Sequence, residues 1–206
     1  YINNHFDKIL NLHTSYLSNN SAMTSGMAIS FLIRIYDLKT NKEDKLIIKK
    51  LIDKIYTNMM TDVNHKGSSL LKNEDIFLFE YCRPDEYLVL NGWIFALLGM
   101  HDYTIFTKQS NDNFNKALNT LESNLNSFFM KNGWTYYDNQ KRISSPIYQY
   151  THMTLIEILY KITKKNFYKI KLQKIKDAYN LKNRIWYTLN KIKDKLFDKV
   201  PYTTVH

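Results

Sequence analysis

Residues 78–104, LFEYCRPDEYLVLNGWIFALLGMHDYT, set a polar, tyrosine-rich loop directly against the most apolar stretch of the chain. Glu80, Tyr81, Arg83, Asp85, Glu86 and Tyr87 crowd the loop, and from Leu88 to Met100 almost every side chain is apolar. That run is too short to cross a bilayer and too uniformly apolar to lie on a surface, so it predicts a buried inner helix. Titratable groups at the mouth of such a helix are partly desolvated and close to one another, the conditions that turn side chains into acids and bases at neutral pH. Two further stretches carry similar content: Trp134 to Arg142, with Tyr136 and Tyr137, and Ser145 to His152, with Tyr148 and Tyr150. Sixteen tyrosines in the chain make any single one a packing residue first, but several converging beside a glutamate are less easily dismissed as packing.

Each candidate has a plain alternative. Glu80 reads as a functional carboxylate or as a loop carboxylate paired with Arg83. Asn91-Gly92 reads as structural, capping the inner helix and letting it approach a neighbour closely. His152 divides between a packed core histidine and a group that binds a carboxylate. No two histidines stand at metal-ligand spacing beside acidic partners, which argues against catalytic zinc. The chain also has no Gly-rich phosphate loop and no G-x-S-x-G elbow, so no cofactor is expected.

The elements that must position these residues are helical. Only 5 Gly and 3 Pro in 206 residues leave too few turn residues for a sandwich or barrel, and the single cysteine, Cys82, excludes an intramolecular disulfide. Ile2, Phe6, Ile9, Leu10, His13 and Leu17 describe a first amphipathic helix. A nearly all-apolar helix follows Thr24-Ser25-Gly26 and stops at Lys39, and an amphipathic one covers 42–60. Residues 61–79 read as extended or loop. The alternation then repeats: an apolar helix at 91–103, a polar turn from Lys108 to Asn111, an amphipathic helix through Phe114 to Phe129, an apolar helix from His152 to Ile162, and amphipathic stretches at about 166–179 and 183–198. SGMAISFLIRIYDLKT, NGWIFALLGMHDYTIFT and THMTLIEILYKITKK look like three copies of one unit. A helix apolar all round must be covered all round, so this alternation predicts an all-α chain built as an incomplete α/α toroid, inner helices lined by outer ones. The loops before the three inner helices would then gather at one end. An ordinary helical bundle is the alternative. Residues 1–206 are read as one domain with a Lys-rich helical tail at about 164–200.

Charge is unevenly placed. The net charge is +10, yet between Lys161 and Lys199 thirteen Lys or Arg face three Asp, so the rest of the chain is balanced. Such a tail is a solvated helix face or a platform for a polyanion: acidic glycan, nucleic acid or an anionic membrane surface touched through 164–200. The chain opens on a tyrosine, compatible with a fragment or a processed product. No signal or spanning segment is visible in it, which favours the cytoplasm.

The string EYCRPDEYLVLNGWIFALLGMHDY resembles the region of the heparan and heparosan D-glucuronyl C5-epimerases where a Glu-Tyr pair precedes V-L-N-G and a helix of the form IYSLIGLYDL. GMAISFLIRIY is similar to the family's G-x-A-I-S-x-L-x-R-A-Y helix, TYYDNQ to its I-Y-D-L-R-H turn, and IYQYTHMTLIEIL to its W-D-Y-H-T-T-H-I-x-Q-L segment. The four motifs run in the family's order over residues 25–160 and cover its C-terminal α/α-toroid domain. After Tyr137-Asp138 the family's Leu-Arg-His is replaced by Asn-Gln-Lys, so an arginine expected there is missing.

The resemblance implies catalytic duty for Glu80 and Tyr81, with Tyr137 and Tyr148 as further active-site tyrosines. Epimerising a uronic acid removes the proton at C5, alpha to a carboxylate, and returns one on the opposite face, so two acid/base groups must flank the ring. The intermediate loads charge onto the sugar carboxylate, for which Arg142, Asn91, His152 and Arg83 are the candidate binding groups. A glutamate base needs a dry site to raise its pKa, and a tyrosine acting as base needs a neighbouring cation to lower its own. The expected partner is an acidic polysaccharide rather than nucleic acid, and a homodimer that completes the cleft is compatible with the chain. A catalytically silent glycan-binding relative and a lyase using the same C5 carbanion are the alternative functions.

Overall fold

The computed structural model describes residues 17–108, 110 and 112–197, with side chains through residue 193. The amphipathic helix expected within residues 1–19 lies almost wholly outside the described residues. Helix α1 spans Ala22–Leu38 and begins where the Ser21 side chain accepts a hydrogen bond from the Thr24 amide. Helix α2 spans Lys42–Met60; Asn41 caps it by accepting from the Glu43 amide, and Glu43 and Asp44 place negative charge on its first turn. Residues 61–79, expected to be extended or loop, contain a short 3-10 turn at Val63–His65 and an antiparallel hairpin of β1 (Ser69–Lys72) and β2 (Asp75–Leu78). Helix α3 runs Leu90–Thr107, α4 Asp112–Leu125, α5 Pro146–Thr163, α6 Asn166–Ala178 and α7 Leu181–Phe197. Among the described residues the fold is all-α apart from that one hairpin.

Helices α1, α3 and α5 stand side by side in that order, and each carries its successor in sequence, α2, α4 or α6, packed against it. The seam between α1 and α3 is made by glycine. A methyl group added at Gly99 would meet the Gly26 Cα at 2.3 Å, and one added at Gly26 would meet the Ala96 Cα at 2.7 Å. Backbone therefore touches backbone here, which only residues without a side chain allow.

The expectation that all three apolar helices are enclosed holds best for α3, whose residues from Leu90 to Gly99 are nearly all buried. It fails for α1: only Ala22, Gly26 and Ile29 are buried, while Phe31 stands 62% exposed. Its packing partners α2 and α3 cover one side, and among the described residues nothing covers the other. Helix α5 begins six residues earlier than the apolar run suggests, because Ser145 accepts from the Tyr148 amide and Pro146 sits at the first helical position. Tyr148 and Tyr150 are thus helical rather than loop residues.

The segments preceding α1, α3 and α5 are stitched to one another. Leu17 N donates to Cys82 O at 2.8 Å and Ala22 N to Phe79 O at 2.7 Å, joining the first segment to the second. Leu90 N donates to Tyr137 O and Asn139 N to Leu88 O, both at 3.0 Å, joining the second to the third. The three connections form one continuous rim at the N-terminal ends of the three helices.

Candidate active site

Glu80 lies where this rim meets the first turn of α3. Its burial depends on Gly92, since a Cβ there would stand 2.3 Å from Glu80 Oε2. The carboxylate occupies the space that a side chain would fill. Glu80 is only 9% exposed, and its Oε2 is buried without a hydrogen-bond partner. Burial raises its pKa above the ordinary glutamate value, although a hydrogen bond with the Tyr81 side chain and the charge of Arg142 pull the other way. An oxygen with unspent lone pairs and raised basicity is the form a general base takes.

Two phenols, Tyr81 and Tyr137, interact with it, and a third, Tyr148, packs on Tyr137. Tyr81, 38% exposed, reaches Glu80 and lies with its ring 6.0 Å from that of Tyr87. Tyr137 is buried, feels the charge of Glu80, and meets Tyr148 edge to face at 4.7 Å. Tyr148 projects from the first turn of α5 and closes the small apolar cluster of Tyr87, Val89 and Tyr137. Burial pushes the Tyr87 and Tyr137 hydroxyls well above the ordinary phenol pKa. Acting as a base would require a lowered tyrosine pKa, and these two go the opposite way. They are held as neutral phenols, which suits proton donors.

Arg142 supplies the cation. Its guanidinium donates inward to Asp138 Oδ2 and to the Tyr87 hydroxyl, and lies 5.3 Å from the centre of the Tyr137 ring. Nearly half of the side chain remains exposed, leaving an outer edge for an incoming anion. Desolvation lowers its pKa, and Tyr87 and Asp138 more than compensate, so it stays charged. Asp138 is fully buried and fully engaged: it accepts from Tyr87 at 2.9 Å and from the Arg142 amide at 3.1 Å, besides the ion pair.

Tyr87 is marked in the sequence only as one of the titratable groups crowding the loop, and Asp138 is not marked as a site residue at all. The signal that marks Asp138 is its i,i+4 spacing to Arg142 across a turn, which pairs their charges. Arg142 stands at this rim although the arginine expected two residues after Asp138 is replaced by Gln140, which instead donates to Asp85 at 3.0 Å.

The remaining candidates are placed differently. Arg83 is held in a two-pronged pair by Asp85, at 3.0 and 2.8 Å, and stacks over the Tyr87 ring at 4.6 Å. It buttresses the site, and the alternative of a Glu80–Arg83 pair is not what forms. Asn91 does not cap α3, whose first residue is Leu90 and whose cap position, Val89, carries no side-chain hydrogen bond. Instead it sits in the first turn, 7% exposed, with its Oδ1 unpartnered.

His152 is fully buried, below the reach of a ligand arriving at the rim. Thr135 donates its hydroxyl proton to Gln149 Oε1 at 2.6 Å, so at 2.8 Å it accepts from His152 Nδ1 and leaves Nε2 as a bare acceptor. Burial lowers the His152 pKa to about 3, so it is a neutral core imidazole and not a cation for a carboxylate. Among the described residues no three His, Cys, Asp or Glu side chains are close enough to share a metal ion. Cys82 is buried and its thiol is pushed up to about 11, which keeps it unreactive.

The sequence model described as D-glucuronyl C5-epimerase C-terminus matches residues 8–177. That span contains every residue of the rim and ends before α7. No curated protein matches the chain.

Proposed function

The chain belongs to the D-glucuronyl C5-epimerase C-terminus family, and from that premise we propose that it inverts C5 of uronic acid residues in an acidic polysaccharide. The observation that carries this reading is the orphaned, buried Glu80 Oε2 beside neutral phenols and an arginine. Glu80 takes the C5 proton, and the electron pair moves into the sugar carboxylate as an enediolate. Arg142 holds the added charge. Tyr137 returns a proton to C5 from the opposite face, its phenolate being stabilised by the same guanidinium, and Tyr148 fixes the Tyr137 ring. Proton exchange with water then resets both groups, so solvent hydrogen ends at C5. The same reading treats residues 1–206 as one unit and the row of α1, α3 and α5 as the arc of an α/α toroid.

The test is incubation of glucuronate-containing polysaccharides in deuterium oxide. Deuterium at C5 with the chain length unchanged is the expected result. Cleavage to an unsaturated sugar would make the protein a lyase, and neither change would leave a glycan-binding relative.

A further inference from the structure

Helix α7 lies beyond the residues that the family match covers, so the chemistry above does not account for it. Leu181, Ile185, Leu189 and Ile192 are between 49% and 70% exposed. At about 100° per residue they fall within a strip roughly 80° wide along the helix. Lys182 and Lys193 border one edge of the strip, and Arg184 and Lys191 border the other. The opposite side faces the body of the protein: the Tyr187 ring stacks 6.3 Å from Trp134, and Asn183 Nδ2 donates to Ala178 O at 2.9 Å. The apolar strip therefore points outward while the back of the helix, which carries Asn183 and Tyr187, is anchored.

The chemistry of the strip selects its partner. Across Leu181–Phe197 there are five Lys or Arg and one Asp, so the surface is strongly cationic. A glycan or nucleic acid offers anions to the two basic borders and no apolar matter to the leucines and isoleucines between them. A second copy of α7 would cover the strip and force the like-charged borders together. Among the described residues no helix, α7 included, is long and apolar enough to cross a membrane.

We propose that α7 docks the protein on a membrane surface rich in anionic lipid. The four aliphatic side chains enter the headgroup boundary, and the flanking cations extend along it to the phosphates. The inference stands apart from the epimerase reading, since it uses no residue of the rim.

Co-sedimentation of the full chain with vesicles tests it, comparing phosphatidylcholine alone with the same lipid carrying about one third phosphatidylglycerol. Binding to the anionic vesicles is expected to exceed binding to the neutral ones by about tenfold. Ile185→Glu with Leu189→Glu, and separately Lys182→Glu with Lys193→Glu, should each weaken it about tenfold, with the circular dichroism unchanged. Failure to sediment with anionic vesicles overturns the proposal. So does binding that is indifferent to the two glutamates in the apolar strip, which would mark a bare polyanion platform. A dimer in analytical ultracentrifugation that Ile185→Glu disperses, without vesicle binding, overturns it in favour of a second copy.

Discussion

Asp138 and Glu80 are two carboxylates buried at one rim, and they are buried in opposite ways. Asp138 is surrounded by donors: a phenol, a backbone amide and a guanidinium each take one of its lone pairs. Glu80 meets Tyr81 on one side and bare glycine on the other, so one oxygen is dry and unclaimed. Satisfied burial gives a fixed counter-ion, and unsatisfied burial gives a reagent. The same low-dielectric surroundings build a brace in one case and, on the proposed mechanism, a base in the other.

That contrast can be attacked from both sides. The largest effect belongs to Glu80→Gln, which should cut C5 exchange about 10³-fold while the far-ultraviolet circular dichroism stays unchanged. Exchange within a factor of ten of wild type would remove Glu80 from the mechanism. Next comes Gly92→Ala, whose methyl must displace the carboxylate. We expect exchange to fall about 10²-fold from misplacement alone, measured as kcat with the fold intact. Asp138→Asn should act on binding instead, raising KM about tenfold as Arg142 loses its brace, and lowering stability by about 2 kcal/mol in denaturant melts. A kcat loss as deep as that of Glu80→Gln would erase the distinction drawn above.

The smallest effect is on pH. Exchange should rise with pH through a limb centred above 4.5, the ordinary glutamate value, because the base must first lose its proton. The sign for stability is the reverse. A carboxyl whose folded pKa is raised binds its proton more tightly when folded, so its stabilising contribution is full below the ordinary value and is lost as pH rises through the folded one. Glu80→Gln should flatten that fall in melts recorded across the window, and an unaltered slope would place the raised pKa elsewhere.

Much of the scaffold was legible because apolar runs and helix caps are local. α2, α3 and α6 lie within a few residues of where periodicity places them, and Glu80-Tyr81 was marked by its position before an apolar helix and by the family's motif. What escaped was set at long range. The i,i+4 spacing of Asp138 and Arg142 is local, but the pairing of their loop with Val89, about fifty residues away, which brings them to the rim, has no local signal. For His152 the sequence leaves a core histidine and a carboxylate-binding group side by side; the Ser145-Pro146 start of α5 carries it inward and decides for the core. Phe31 looked like core because α1 is apolar, and apolarity states a need for cover without saying that the described residues provide it.

The glycine seam between α1 and α3 reaches further than its size suggests. Gly99 is seven residues along the same rod from Gly92, about 10 Å of rise. With two glycines and the backbone of Ala96 forming the joint, added bulk at either glycine meets backbone and must shift one rod against the other. The Phe79–Ala22 bond ties the segment bearing Glu80 to α1, while Gly92 rides on α3. A change of spacing in that distant joint would therefore reach the place where acid and glycine fit together, although the joint itself lies about 10 Å from the carboxylate's neighbour Gly92.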